Sequence, residues 1–132
     1  MDPRDPLVWG PSAWRLLHMW SRMNAVAPQG FWRILRTFQR GIPCDACRGH
    51  FAEVLRTPGL SKGDPVRLVW ELHNLVNRRI GKPVRSEAIL ARRKPMTVAQ
   101  VRTDFRILYQ SMAARFGDAK TAALWDRMHT RR

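Results

Sequence analysis

The chain predicts an all-α fold: a four-helix bundle followed by an additional C-terminal helix or helices. Three observations carry this. Apolar residues recur at three- and four-residue steps, as at Phe31, Ile34, Leu35 and Phe38, the stripe a helix buries against its neighbours. No segment alternates apolar and polar residues in the way a half-buried strand does. Helix-start signals stand where the stripes begin: Asp64 before Pro65, and Thr97 three residues before Gln100.

The elements follow in order. A first helix starts near Pro11–Ser12 and runs to about Asn24, with Trp14, Leu17, His18 and Met19 grouped on one side. Residues 25–29 turn the chain. A second helix spans about 30–39 and is stopped by Gly41-Ile42-Pro43. A third begins at the cysteines and reaches about Arg56. Residues 57–63 form a loop. Asp64 caps a fourth helix, which runs to Ile80 and ends at Gly81 and Pro83. Residues 83–96 read as irregular and basic. Thr97 with Gln100 opens a fifth helix through about Phe116, Gly117-Asp118 breaks it, and a short last helix reaches about Met128.

At 132 residues the chain reads as one domain, 1–132, able to bury a core without metal or disulfide support. Hydrophobic residues at 45% and charged residues at 26% exclude wholesale disorder. The net charge is +14, and because lysine occurs only at positions 62, 82, 94 and 120, most of the 24 basic residues are arginine. Such a balance suits an anionic partner. The basic residues are spread along the chain, however, so a solvated arginine-rich surface is favoured over dedicated nucleic-acid binding. The first residues carry charge and three prolines with no apolar run, and no stretch is long enough to span a bilayer. The expectation is a soluble intracellular protein, or one packaged into a particle made inside a cell, with no membrane partner.

The chemistry centres on the only two cysteines, Cys44 and Cys47, in IPCDACRGHF. This spacing serves either dithiol–disulfide cycling or metal binding. In the first turn of a helix, unpaired N–H groups and the helix dipole favour a thiolate, and Arg48 adds positive potential. Two buried thiols without a role are the bland alternative. Zinc is the sharper rival, because Cys44, Cys47 and His50 form C-x-x-C-x-x-H, with His18 or His73 able to complete a set of four. A c-type haem is disfavoured because Arg48 stands where its attachment motif needs histidine. A thioredoxin-like fold would need strands, and none is visible.

The fourth helix holds a polar stripe in LVWELHNLVNRRIGKP: His73 and Asn77 are four apart, Asn74 and Asn77 three apart, so they share a face. It reads either as a structural hydrogen-bond network or as a site for a polar ligand. An adenine or ribose would fit, with Arg79 and Lys82 near the helix end for phosphates. The first helix offers a matching pair, Trp14 and His18.

These three clusters resemble the ERV/ALR family of FAD-linked sulfhydryl oxidases, through WGPSAWRLLHMWS at 9–21, IPCDACRGHF at 42–51 and LVWELHNLVNRRIGKP at 68–83. The likeness covers a core of residues 8–83, fades beyond Pro83, and in its compact layout is nearest the small forms of large DNA viruses. It leaves the C-terminal extension, 97–132, without a role. The resemblance implies a helical bundle that binds FAD, usually as a homodimer. It implies a thiol oxidase that forms disulfides in protein substrates and passes electrons through FAD to oxygen, releasing hydrogen peroxide. By position, Cys47 is the thiol nearest the flavin and Cys44 the outer thiol that exchanges with substrate. Trp14, His18, His73, Asn74, Val76, Asn77 and Lys82 match cofactor-binding positions, and Arg79 joins them by its place in the chain. With no further cysteine, the chain lacks the shuttle pair that many members carry. A dithiol protein, or a separate thiol–disulfide carrier, must therefore reach Cys44 directly. A dimer would rest on helix packing, through the apolar side of helix 30–39. A viral source would place the protein in host cytoplasm or nucleus, and in the virion, making disulfides in a reducing compartment. The alternative from a different class is a zinc-stabilised basic module, built on Cys44, Cys47 and His50, that binds nucleic acid.

Overall fold

A computed structural model describes residues 1–91 and 94–129 of the chain. Within them lie six α-helices, one 3₁₀ turn and no strand: α1 (Pro6–Met23), α2 (Pro28–Gly41), α3 (Asp45–Val54), α4 (Pro65–Arg79), the 3₁₀ turn at Glu87–Ala91, α5 (Val98–Phe116) and α6 (Asp118–His129). The fold is therefore all-α. Among the described residues no helix is long and apolar enough to cross a membrane.

The caps show why the helices start where they do. Asp64 accepts the Arg67 backbone N–H and opens α4 with Pro65 at its first position. Thr97 and Gln100 form a reciprocal capping box on α5. The sequence reading starts the first helix too late. It begins at Pro6, where Asp5 accepts the Leu7 N–H at 2.8 Å, and Pro11 lies inside it. Gly10 before that proline carries no Cβ to crowd the ring, which relieves the usual penalty at the preceding residue. The helix loses only the bond that a Pro11 N–H would have made one turn back. α2 likewise starts earlier, at Pro28.

Helix α1 runs through the middle of the molecule, flanked by α4 and α5, while α2 lies against α6 and α3. Leu16 and Leu17 of α1, Phe31 and Leu35 of α2, Leu68, Val69 and Leu72 of α4, and Leu108 and Met112 of α5 are at most 1% exposed. Burying each such side chain contributes roughly 1.5–3 kcal/mol. Leu124 and Met128 bring α6 into the same core. Gly41, at the end of α2, permits a close approach: a Cβ there would meet Met112 Cε at 2.6 Å and Leu124 Cδ1 at 3.5 Å. Gly117 turns the chain between α5 and α6 with φ +81°, a conformation that favours glycine.

One expectation changes here. The apolar side of helix 30–39, read as a dimer surface, is filled from within the chain. Phe31, Ile34, Leu35 and Phe38 are all buried, and α6 packs against α2. A sequence stripe looks the same whether its partner is a second copy or a later helix.

A buried polar cluster pins α5 to α1. Asp104 of α5 is 2% exposed and accepts from Ser12 Oγ at 2.8 Å, Arg15 Nε at 2.8 Å and Arg15 Nη2 at 2.9 Å, all from α1. Burial alone would raise this carboxyl. The hydrogen bonds from Arg15 and Ser12 outweigh it and hold the group below the ordinary carboxylate range.

Candidate redox and cofactor site

Helix α3 begins at the cysteines. Cys44 is its N-cap, and Cys44 Sγ accepts the Cys47 N–H at 3.2 Å. The two are joined as a disulfide. The sulfurs thus lie at the positive end of a helix, where a thiolate formed on reduction is favoured. Arg48 braces the turn. Its guanidinium donates to the Ile42 carbonyl at 2.9 Å and to Asp45 at 2.9 Å, and its own carbonyl accepts from Gln39 Nε2 at 3.0 Å.

Cys47 sits on the wall of a cleft of about 1030 Å³ lined by α1, α3, α4, the end of α2 and the segment after α4; Cys44 does not. The disulfide therefore has an inner and an outer sulfur. The cavity lies at the upper end of the size range of ligand sites, roughly 300–1,000 Å³. On its wall Trp14 of α1 and His73 of α4 stack directly on each other, ring centroids 4.0 Å apart and planes 6° apart. Phe51 meets Trp14 edge-on, and His18 Nε2 lies 3.3 Å from His73 Nδ1.

The residues singled out from sequence divide. Trp14, His18, His73, Val76, Asn77 and Lys82 line the cavity with Cys47. Asn74 and Arg79 do not. Asn74 faces the segment after α4, exchanging hydrogen bonds with the Arg85 backbone N–H and carbonyl at 2.9 Å each. Trp70 Nε1 donates to the same carbonyl at 3.0 Å. Asn74 thus fastens the segment that carries Lys82 past the cavity mouth, with Asn77 Nδ2 donating to the Pro83 carbonyl at 3.3 Å. Arg79 turns outward to Glu53 at 2.8 Å.

Three titratable wall residues, His50, Arg15 and Arg85, lie outside that sequence-derived set. His50 enters the cavity one helical turn after Cys47. Its Nε2 is buried with no hydrogen-bond partner among the described residues. Burial, with the nearby Arg79 charge, pushes this imidazole below its usual range, so it is neutral at neutral pH. The C-x-x-C-x-x-H motif was the signal for it, but as a metal ligand. Arg15 and Arg85 also line the cavity. Arg15 was invisible as a site residue because the side chain that orients it, Asp104, is 89 residues away.

The donor set fits FAD. The Trp14–His73 stack gives the cavity an aromatic surface on which a flat heteroaromatic ring can pack. A neutral, unpartnered His50 Nε2 suits a ring-edge heteroatom. Lys82, Arg15 and Arg85 suit a diphosphate. A zinc site finds no support, since among the described residues no three His, Cys, Asp or Glu side chains gather to hold a metal.

A helical bundle that sets one sulfur of a disulfide against a cofactor-sized cleft is the architecture of a flavin-linked dithiol oxidoreductase. The Erv1/Alr family model matches residues 11–95, and the chain belongs to that family. It is 28% identical over 111 residues to the "Putative FAD-linked sulfhydryl oxidase 347L" of Invertebrate iridescent virus 6, covering 71% of this chain and 97% of that protein. It is 31% identical over 93 residues to the identically titled 088R of Frog virus 3, covering 61% and 62%. To the FAD-linked sulfhydryl oxidase of African swine fever virus (isolate Pig/Kenya/KEN-50/1950) it is 30% identical over 88 residues, covering 59% and 72%. No solved structure matches the chain.

Proposed function

We propose that this protein is an FAD-dependent thiol oxidase that forms disulfide bonds in protein substrates. The carrying observation is the placement of Cys47, one sulfur of a disulfide, on the wall of a cavity whose lining suits FAD, in a chain of the Erv1/Alr family.

The chain's own groups divide the work. A substrate thiolate attacks Cys44 Sγ, the sulfur that does not face the cavity; the Cys44–Cys47 bond breaks and Cys47 leaves as a thiolate. The α3 N-terminus stabilises that thiolate. A second substrate thiolate attacks the substrate sulfur of the mixed disulfide, Cys44 leaves, and the substrate departs oxidised by two electrons. Bound FAD supplies the acceptor for the two electrons now held by the Cys44/Cys47 dithiol and the route from there to oxygen, which leaves as hydrogen peroxide. The stacked Trp14–His73 pair would give the ring system an aromatic surface to pack on, and His18 holds His73. Val76 and Asn77 complete the α4 wall. Lys82, with Arg15 and Arg85, neutralises the diphosphate. Asn74 keeps the Lys82 segment in place. Arg79 acts on the site through the charge it sets beside His50.

The substrate is a protein dithiol, or a carrier that delivers one, because the chain has no second cysteine pair. The relatives are viral proteins, which supports action in a reducing host compartment or in the assembling particle. A homodimer, if formed, uses a surface other than the apolar side of helix 30–39.

The test is direct. Purified protein given a dithiol should consume oxygen and release one hydrogen peroxide per disulfide made, with bound FAD. Protein that binds no flavin and consumes no oxygen contradicts the reading.

A further inference from the structure

The family model stops at residue 95, yet the helices beyond it reach the rim of the disulfide. Arg115, at the end of α5, places Nε 2.8 Å from Oδ1 of Asp45 and Nη2 3.5 Å from Oδ2. Asp45 is the residue that directly follows Cys44. Arg48 Nη2 donates to the same Oδ1 at 2.9 Å. Beside them, three cations converge on one ring, that of Phe116: Arg115 Cζ lies 5.0 Å from its centroid, Arg48 Cζ 5.4 Å and Lys120 Nζ 4.6 Å. Among the described residues Lys120 has no carboxylate partner within ion-pair range.

We propose that Arg48, Arg115, Phe116 and Lys120 form a docking surface that holds an acidic segment of the substrate protein beside Cys44. This rests on the oxidase reading. The occupant follows from the chemistry. On the oxidase reading, what enters is a protein that carries the thiols to be oxidised. It must bring them to Cys44, because the chain has no shuttle pair to carry electrons outward. On the way it passes a corner where aromatic contact already orders three cations. Two guanidinium groups share the single carboxylate of Asp45 and Lys120 pairs with none among the described residues, so the corner keeps positive charge for an acidic segment, and the ring supplies apolar contact. The extension thus has a specificity role, favouring acidic dithiol substrates in a strongly basic chain.

The experiment compares two peptides with the same dithiol core, one flanked by Asp and Glu, the other by Lys and Arg, alongside dithiothreitol. Wild-type holoenzyme should oxidise the acidic peptide roughly tenfold more efficiently at low salt, through KM, with the gap closing as salt rises. Lys120→Glu, and separately Arg115→Gln, should erase most of that preference while leaving dithiothreitol oxidation and flavin content unchanged. Arg102→Glu, the same charge change about 20 Å back along α5, should leave the preference in place.

Equal efficiency for the two peptides in the wild type overturns the proposal. So does an equal loss from Arg102→Glu, since that makes the preference a property of net charge. An oligonucleotide whose binding is lost in Lys120→Glu, while both peptides turn over as before, also overturns it by assigning the corner to nucleic acid. Failure to oxidise dithiothreitol is the separate failure of the oxidase reading, on which the proposal depends.

Discussion

Two faces of α1 meet different partners. Toward α3 and α4, it contributes Trp14 and His18 to a cavity with a redox disulfide on its wall. Toward α5, it offers Ser12 and Arg15 to one buried carboxylate. The first region carries the chemistry and matches the family; the second lies mostly beyond the family match. The difference teaches that the α5–α6 pair is no loose appendage. It completes the core, orients Arg15 at the cavity and closes on Asp45 beside Cys44. Chemistry and support are divided between the two regions, and mutations on each side should separate them.

The largest effect belongs to the chemical side. Cys47→Ser should keep FAD and the fold but lower turnover with every thiol substrate on the order of 10³-fold or more. Steady-state oxygen uptake, paired with a flavin count, checks this. Cys44→Ser should also stop dithiol oxidation, while leaving a thiol facing the flavin. Full activity in either variant breaks the assigned roles.

His73→Ala should weaken FAD binding by roughly tenfold, the scale of one lost stacking or hydrogen-bonding contact near 1.4 kcal/mol. Flavin retention on dilution measures it. Unchanged retention removes the stack from the site.

On the supporting side, Asp104→Ala should cost about 2–3 kcal/mol, less than a fully buried pair because Arg15 is half exposed. Thermal melting reads this. The same residue gives a pH signature. Its folded pKa lies below the unfolded value of about 3.9, so the stabilisation is complete above that value and is lost as pH falls through the folded one. Wild type should therefore lose the Asp104 contribution below about pH 4, whereas Asp104→Ala should show a shallower acid slope.

The smallest effect is at the α5 cap. Thr97→Ala removes one half of the capping box and should cost about 1 kcal/mol, with FAD content unchanged. Loss of flavin in that variant would blur the division between the regions.

Most of the bundle was legible because its signals are local. Asp64-Pro65 and Thr97…Gln100 name their helices within four residues, and the Phe31–Phe38 stripe needs only its own spacing. The cavity residues on α1 and α4 were legible for the same reason, through the clustering of Trp14 with His18 and of His73 with Asn77. What was not legible depends on distant partners. Arg15 needs Asp104, Asn74 is turned by the Arg85 backbone, and Arg79 is taken by Glu53 from α3. The start of α1 was misread because Pro11 carries a strong helix-start signal, which Asp5 and Pro6 pre-empt. The covering of α2 by α6 was hidden because an apolar stripe does not declare what buries it.

The central claim is the path from the Cys44/Cys47 pair to a flavin in the cavity. The most direct measurement is the visible spectrum of the purified protein during anaerobic titration with a dithiol. The account predicts an oxidised-flavin band that bleaches in the wild type, returns on admitting air, and stays unbleached in Cys47→Ser. A band in wild-type protein that does not respond to dithiol, or a colourless protein that cannot be reconstituted with FAD, would contradict it.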